Sequence, residues 1–336
     1  MENNQLLECI SKVSSNRIAV LLRHPIRAEP DRHKDYYNIP LAPEGRKMAI
    51  EFGKKLPRDK LVRIFHSPIP RCRETAEYIK KGIISSTGTA VLMGEKDFLS
   101  AQFIINPKDM INMIEKMGIS NFARKWLNRE LDKKIMEDPY KVISNMLNGV
   151  LYFMQEDSDV RHAIDVHVTH DWNILPIKDI LLNIKHEDVG WPDYLDGIIL
   201  TSDSNDKKIT LRWKDVAKKV HWEIGCKIVL KGIPASPGMV RGNVRIISSL
   251  NDIGYMRVGE VLVTSETNPQ YLPALIKSIA IITDRGGILS HPAIVARELG
   301  VPGVVGTSIA TKILQTGDYI VVDGDNGFIF QCVGGE

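Results

Sequence analysis

The sequence predicts two α/β domains. Three observations carry this: apolar runs ending in charge alternate with segments of helical periodicity, 336 residues is about two domains' worth of chain, and the texture changes near residue 230. From about Ile233 onward, Gly, Pro and short Val/Ile runs recur. The expected division is a first domain over 1–222, a linker over 223–231 and a smaller second domain over 232–336.

IAVLLR (18–23) reads as a buried parallel strand whose last residues reach a strand end, where open α/β sheets gather ligand chemistry. A charged loop (28–38) follows, then LAPEGRKMAIEFGKKL, with apolar residues at helical spacing and Pro43 near the helix start. LVRIFHS predicts a second strand running straight into the helical PIPRCRETAEYIKK. Residues 106–155 read as a helical insertion interrupted at Pro139. AIDVHVT predicts a third strand ending at His170 and Asp171, and YLDGIILTSDSNDKKITLRWKD an edge hairpin. In the second domain EVLVT, AIIT and YIVVDG read as strands and PAIVARELG as a helix.

Apolar residues at 43% and charged residues at 25% are ordinary folded-protein usage, which excludes wholesale disorder. Forty-four basic against 41 acidic residues leave a net charge of +3, too small a bias to suggest nucleic acid or an anionic membrane as partner. Cys9, Cys72, Cys226 and Cys332 form no C-x-x-C pair, so neither a zinc knuckle nor a disulfide framework is expected, and a reducing cytoplasm fits best. The N-terminus has no basic segment followed by a long apolar one, so secretion and membrane insertion are not expected. His162 and His167 would face opposite sides of a strand, and no metal site is expected.

Three strand ends carry R-H-P-I-R (Arg23, His24, Arg27), S-P-I-P-R-C-R-E-T-A (67–76) and T-H-D (Thr169, His170, Asp171). Forked guanidinium groups suit a phosphoryl group with charge spread over its oxygens. An imidazole can attack phosphorus, and a nearby carboxylic acid can protonate the leaving group and then activate water. Taken singly, each piece has a plainer reading: a surface Arg-His pair, solvated helix-start arginines, a satisfied core histidine. The joint pattern resembles the histidine phosphatase, or phosphoglycerate mutase-like, superfamily. That resemblance implies a three-layer α/β/α fold with His24 as nucleophile, Arg23 and Arg71 as phosphate clamps and His170 as a further phosphate contact. Arg27 and the His-Asp pair resemble the acid phosphatase branch, which implies Asp171 as proton donor. The other branch takes its acid after the middle motif, which makes Glu95 the reserve donor. Pro25 departs from the usual glycine.

The second motif, T-D-R-G-G-I-L-S-H-P-A-I-V-A-R (283–297), follows an apolar strand and leads into a helix. Gly286 and Gly287 permit a tight turn, Ser290 is a cap candidate, and His291 falls at a helix N-terminus that favours an anion. With G-x-x-A-S-P-G at 232–238 and G-D-x-I-V-V-D-G-x-x-G at 317–327, this resembles the swivelling phosphohistidine domain of pyruvate phosphate dikinase and phosphoenolpyruvate (PEP) synthase-like enzymes. The resemblance implies His291 as phosphoryl acceptor, supported by Thr283, Ser290 and Arg297. No P-loop motif G-x-x-x-x-G-K-S/T is present and an ATP-grasp module does not fit the length. ATP and Mg are therefore expected only on a separate ATP-grasp kinase subunit that loads His291, and this chain is expected to bind no cofactor of its own. Three functional readings follow: a relay from His291 to His24, an independent phosphomonoesterase beside a carrier domain, and a phosphocarrier whose phosphatase-like domain is a docking module. The expected small-molecule partner is a phosphorylated metabolite.

Overall fold

The computed structural model describes residues 4–13, 15, 17–29, 38–156, 162–202 and 207–332, and the chain divides into two compact units, 1–224 and 225–336.

The first unit is built on a seven-stranded sheet of β1 (Arg17–Arg23), β2 (Leu61–His66), β3 (Thr89–Glu95), β4 (Ala163–Thr169), β5 (Gly197–Ser202), β6 (Lys208–Trp213) and β7 (Val216–His221), in the order β3-β2-β4-β1-β5-β6-β7. The first four in that order are parallel, and β5 to β7 continue antiparallel as the predicted edge hairpin plus one more strand. Its helices are α1 (Asn4–Lys12), α2 (Pro43–Lys55), α3 (Pro70–Ser85), α4 (Pro107–Met117), α5 (Ile119–Leu127), α6 (Pro139–Glu156), α7 (Asp171–Pro176) and α8 (His186–Val189). Prolines open α2, α3 and α4, where a missing N–H costs nothing. Pro139 begins α6 rather than interrupting a helix. The core gathers Ile18, Val20 and Leu22 of β1, Ile64 of β2 and Val166 and Val168 of β4 with Phe52, Ala76 and Ile79 of the helices.

Register decides where the chemistry goes. Arg23 pairs with Thr169, and His66 with Val168, so β1, β2 and β4 end level with one another. The residues that follow, His24, Ser67 and His170, therefore emerge at one edge. Helix α2 is held close to this edge: a Cβ on Gly45 would lie 2.1 Å from the Ile26 carbonyl oxygen, so only glycine allows the approach.

The second unit is an eight-stranded sheet of β8 (Cys226–Lys231), β9 (Ile233–Ser236), β10 (Met239–Ile246), β11 (Glu260–Thr264), β12 (Ser278–Thr283), β13 (Gly303–Val305), β14 (Tyr319–Asp323) and β15 (Phe328–Cys332), in the order β8-β15-β14-β10-β11-β12-β13-β9. Helices α9 (Leu272–Leu275), α10 (His291–Leu299) and α11 (Ala310–Ile313) complete it. Two apolar clusters, one around Val261, Ile282 and Val322 and the other around Leu262, Ile281 and Ala296, fill opposite faces, as the strand period of two requires.

Two expectations are corrected. Residues 226–231 are not linker but the edge strand β8, paired antiparallel with β15. Cys226 and Cys332 stand directly opposite in that pairing and form a disulfide, while Cys9 and Cys72 are free. A separation of 106 residues hid a contact that antiparallel pairing creates. Among the described residues no helix is long and apolar enough to cross a membrane.

Candidate functional site

His24 follows the last residue of β1, is buried, and its backbone N–H donates to the Thr169 carbonyl (3.1 Å). Its ring is oriented by two bonds. Nδ1 lies 2.8 Å from the Pro25 carbonyl oxygen and Nε2 accepts from Arg71 Nε at 3.0 Å. A carbonyl can only accept, so the proton is on Nδ1 and the Nε2 lone pair faces Arg71. Pro25 supplies the one backbone group this geometry uses, its carbonyl, which proline retains.

Arg71 is in the first turn of α3 and also reaches His170 Nδ1 (3.3 Å). The other nitrogen of His170 meets Ser67 Oγ at 3.1 Å, and Thr75 Oγ1 donates to the Arg71 carbonyl at 2.6 Å. The Ser, Arg and Thr of the 67–76 segment thus each have a structural task around one guanidinium. The two imidazole rings lie 5.4 Å apart, centroid to centroid. Burial, and then the Arg71 charge, hold His24 well below the usual imidazole range. Burial, then His24 and Arg71, do the same to His170. Cys72 Sγ lies 3.6 Å from His170 Nε2, and burial pushes its thiol up to about 12, so it is an inert neighbour.

Arg23 donates to the Pro192 carbonyl (2.6 Å), pairs with Asp171 Oδ2 (2.8 Å) and lies over the Tyr194 ring at 4.4 Å. Arg23, His24, Arg27, Arg71, His170 and Asp171 all line one cavity of about 430 Å³. Glu95 does not: it ends the outer strand β3, is exposed, and is absent from that lining. The sequence reading missed Glu115 of α4, which lines the cavity mouth, because an acid on an amphipathic helix reads as a solvated face. It also missed Tyr194. Most of the 28–38 loop, with Asp31 and His33, lies outside the described residues. Where Asp179, His186 and Glu187 come together, Arg124 pairs with both carboxylates (2.7 and 2.6 Å), which makes an ion-pair network of them.

In the second unit His291 is the first residue of α10, half-buried, with Nδ1 2.8 Å from Thr267 Oγ1. Thr267 precedes His291 by 24 residues and carried no sequence signal. The supporting residues act on the backbone. Thr283 Oγ1 donates to the Arg285 carbonyl, and Arg297 donates to the Ala235 and Ile288 carbonyls, both at 2.8 Å. Ser290 occupies the cap position without capping; its hydroxyl donates to the Gly287 carbonyl (2.7 Å). Gly286 has φ +121° and a Cβ there would meet Ser290 Oγ at 2.7 Å, whereas Gly287 faces open space.

The probable phosphoenolpyruvate synthase of Pyrococcus abyssi is 38% identical over 175 residues, covering 51% of this chain and 21% of that protein. Its counterpart in Archaeoglobus fulgidus is 41% identical over 147 residues, covering 44% and 20%. The chain thus spans about a fifth of the length of these curated relatives. Among solved structures, Bacillus stearothermophilus YhfR aligns with a TM-score of 0.43 at 18% identity, over 56% of this chain and 92% of that one. Residues 19–93 match the histidine phosphatase superfamily (branch 1) rather than the acid phosphatase branch that Arg27 and the His-Asp pair resemble, and residues 256–327 match the PEP-utilising enzyme mobile domain. The chain therefore joins a histidine phosphatase-like domain, holding His24, to a PEP-utilising mobile domain, holding His291.

Proposed function

We propose that this chain is a phosphoryl-transfer enzyme working through two phosphohistidines, one subunit of a split PEP synthase-like system. A separate ATP-grasp kinase subunit, carrying ATP and Mg, loads His291, whose Nε2 is left for phosphorus by the Thr267 contact at Nδ1. The phosphoryl group then passes to His24 and to water. In the first transfer His24 Nε2 forms a P–N bond as the bond from phosphorus to the His291 ring, or to an ester oxygen, breaks. Where an ester is cleaved, Asp171 gives its proton to the leaving oxygen; where phosphorus comes from His291, that ring leaves as a neutral imidazole and Asp171 enters the second step as the carboxylate that pairs with Arg23. Water next attacks phosphorus, Asp171 takes its proton, and the P–Nε2 bond breaks to return neutral His24 and phosphate. Arg71, Arg23, Arg27 and His170 hold the transferring oxygens.

The observation that carries this reading is the fixed His24 tautomer, with an unprotonated Nε2 at 3.0 Å from a guanidinium. The test is to phosphorylate His291 chemically with phosphoramidate and follow phosphate release. Wild type should discharge the label and His24→Ala should retain it; equal release from both overturns the relay. A second reading, hydrolysis of a small phosphomonoester independent of the carrier, is favoured by the 430 Å³ cavity over His24. Undiminished ester hydrolysis by His291→Ala would select it.

A further inference from the structure

The cavity above His24 is two-sided in its chemistry. At one end stand Arg23, His24, Arg71 and His170; the opposite end is built from α4, α5 and the segment before them, with Ile104, Pro107, Met110, Ile111, Ile114 and Ile119. Ile111 and Ile119 are 46% and 45% exposed, large apolar side chains left open at the mouth of a charged pocket. Trp172 and Tyr194 add aromatic walls, and Arg23 is already packed on the Tyr194 ring. Among the described lining residues, this apolar end offers neither an amide nor a guanidinium, and its one charged group is the carboxylate of Glu115.

From this distribution we infer that the leaving group of the preferred substrate is an uncharged apolar alcohol, a phenol or medium-chain alkanol, esterified to phosphate. This rests on the phosphate-site reading of His24 given above and names what lies beyond the phosphate. The volume is in the range of small-molecule sites, enough for a phosphate and a ring or short chain. A sugar or glycerate would bring several hydroxyls, or a carboxylate, against isoleucine side chains that cannot hydrogen-bond them. A carboxylate would also meet Glu115 with like charge. An apolar body instead gives up its water to the α4 and α5 side chains and places the ester oxygen beside Asp171. Bond changes are those of the ester branch above: P–Nε2 forms, P–O breaks, and the Asp171 proton leaves with the alcohol.

Phosphonates, whose C–P bond His24 cannot cleave, separate binding from turnover. Calorimetric titration of the full chain should give phenylphosphonate and hexylphosphonate affinities about 50-fold above methylphosphonate, from roughly 100 Å² of apolar surface removed from water. 2-Carboxyethylphosphonate should bind no tighter than methylphosphonate. In Ile111→Asn/Ile119→Asn the phenyl-to-methyl ratio should fall at least tenfold, and inorganic phosphate binding by the same variant shows that the charged end is intact. Equal affinity for all four phosphonates, tighter binding of the carboxylated one, or an unchanged ratio in the variant would overturn the inference. Retained preference without ester turnover would instead remove the catalytic reading, and with it the leaving-group assignment, and leave only an apolar subsite beside the phosphate.

Discussion

Replacing Arg71 by glutamine removes a charge that touches both imidazoles while keeping a neutral amide donor on a shorter side chain. The guanidinium donates to His24 Nε2 at 3.0 Å and lies 3.3 Å from His170 Nδ1, so it is positioned for two charge-assisted bonds to phosphate oxygens. At about 1.5–3 kcal/mol each, their loss costs about 3–6 kcal/mol, or roughly 10²- to 10⁴-fold in kcat/KM for a phosphomonoester. A second signature separates this from a general loss of structure. Burial is the larger cause of the lowered His24 pKa, but Arg71 is the next. In the proposed mechanism the neutral ring is the nucleophile, so activity is lost on the acid side as His24 protonates. Without Arg71 that protonation occurs at higher pH, and the acid limb of the kcat/KM profile should move upward. A loss under threefold, or an acid limb that stays in place, would refute Arg71 as the group facing the nucleophile.

Three further outcomes concern His167, Thr267 and the cysteines. His167 is fully buried on Phe65, neither ring nitrogen has a hydrogen-bond partner among the described residues, and burial lowers its pKa from 6.5 to about 3. The unfolded chain therefore binds the proton first, and stability is lost as pH falls between those values. About 2 kcal/mol of this loss has accrued by pH 5, so the stability of His167→Leu relative to wild type should rise by about that amount from pH 8 to pH 5 in urea titrations. A constant difference would contradict it. Thr267→Val should slow phosphoramidate labelling of His291 about tenfold and Thr267→Ser should restore it, since one hydrogen bond orients the ring; equal rates would leave Thr267 without that role. Thiol titration of the denatured, unreduced protein should count two groups, Cys9 and Cys72, and four after reduction; four at the outset would exclude the disulfide.

The parts of the fold visible in the sequence are those where burial imposes a long apolar run. IAVLLR, LVRIFHS and AIDVHVT are β1, β2 and β4, central strands covered on both faces. Strand β3, whose residues are exposed or half-buried throughout, has no such run, and neither has the three-residue β13. CKIVLK read as linker because its partner β15 lies about 100 residues away. At the site, motif order located Arg23, Arg71, His170 and Asp171 around His24, since each ends or follows a central strand. Thr267, Glu115 and Tyr194 were illegible because tertiary packing alone brings them to their histidines. Pro25, a departure at the level of sequence, is neutral in the geometry because the ring uses a carbonyl rather than an N–H.

Mapping phosphate onto individual ring nitrogens tests the central claim most directly. Asp171→Asn should slow discharge of the His24 intermediate, so quenching a reaction started from phosphorylated His291 and sequencing the peptides by mass spectrometry under alkaline conditions should find phosphate on both rings. The two-phosphohistidine cycle predicts label moving from 291 to 24 with time and absent from ring 24 in His291→Ala. Label that leaves ring 291 without ever reaching ring 24 would contradict it.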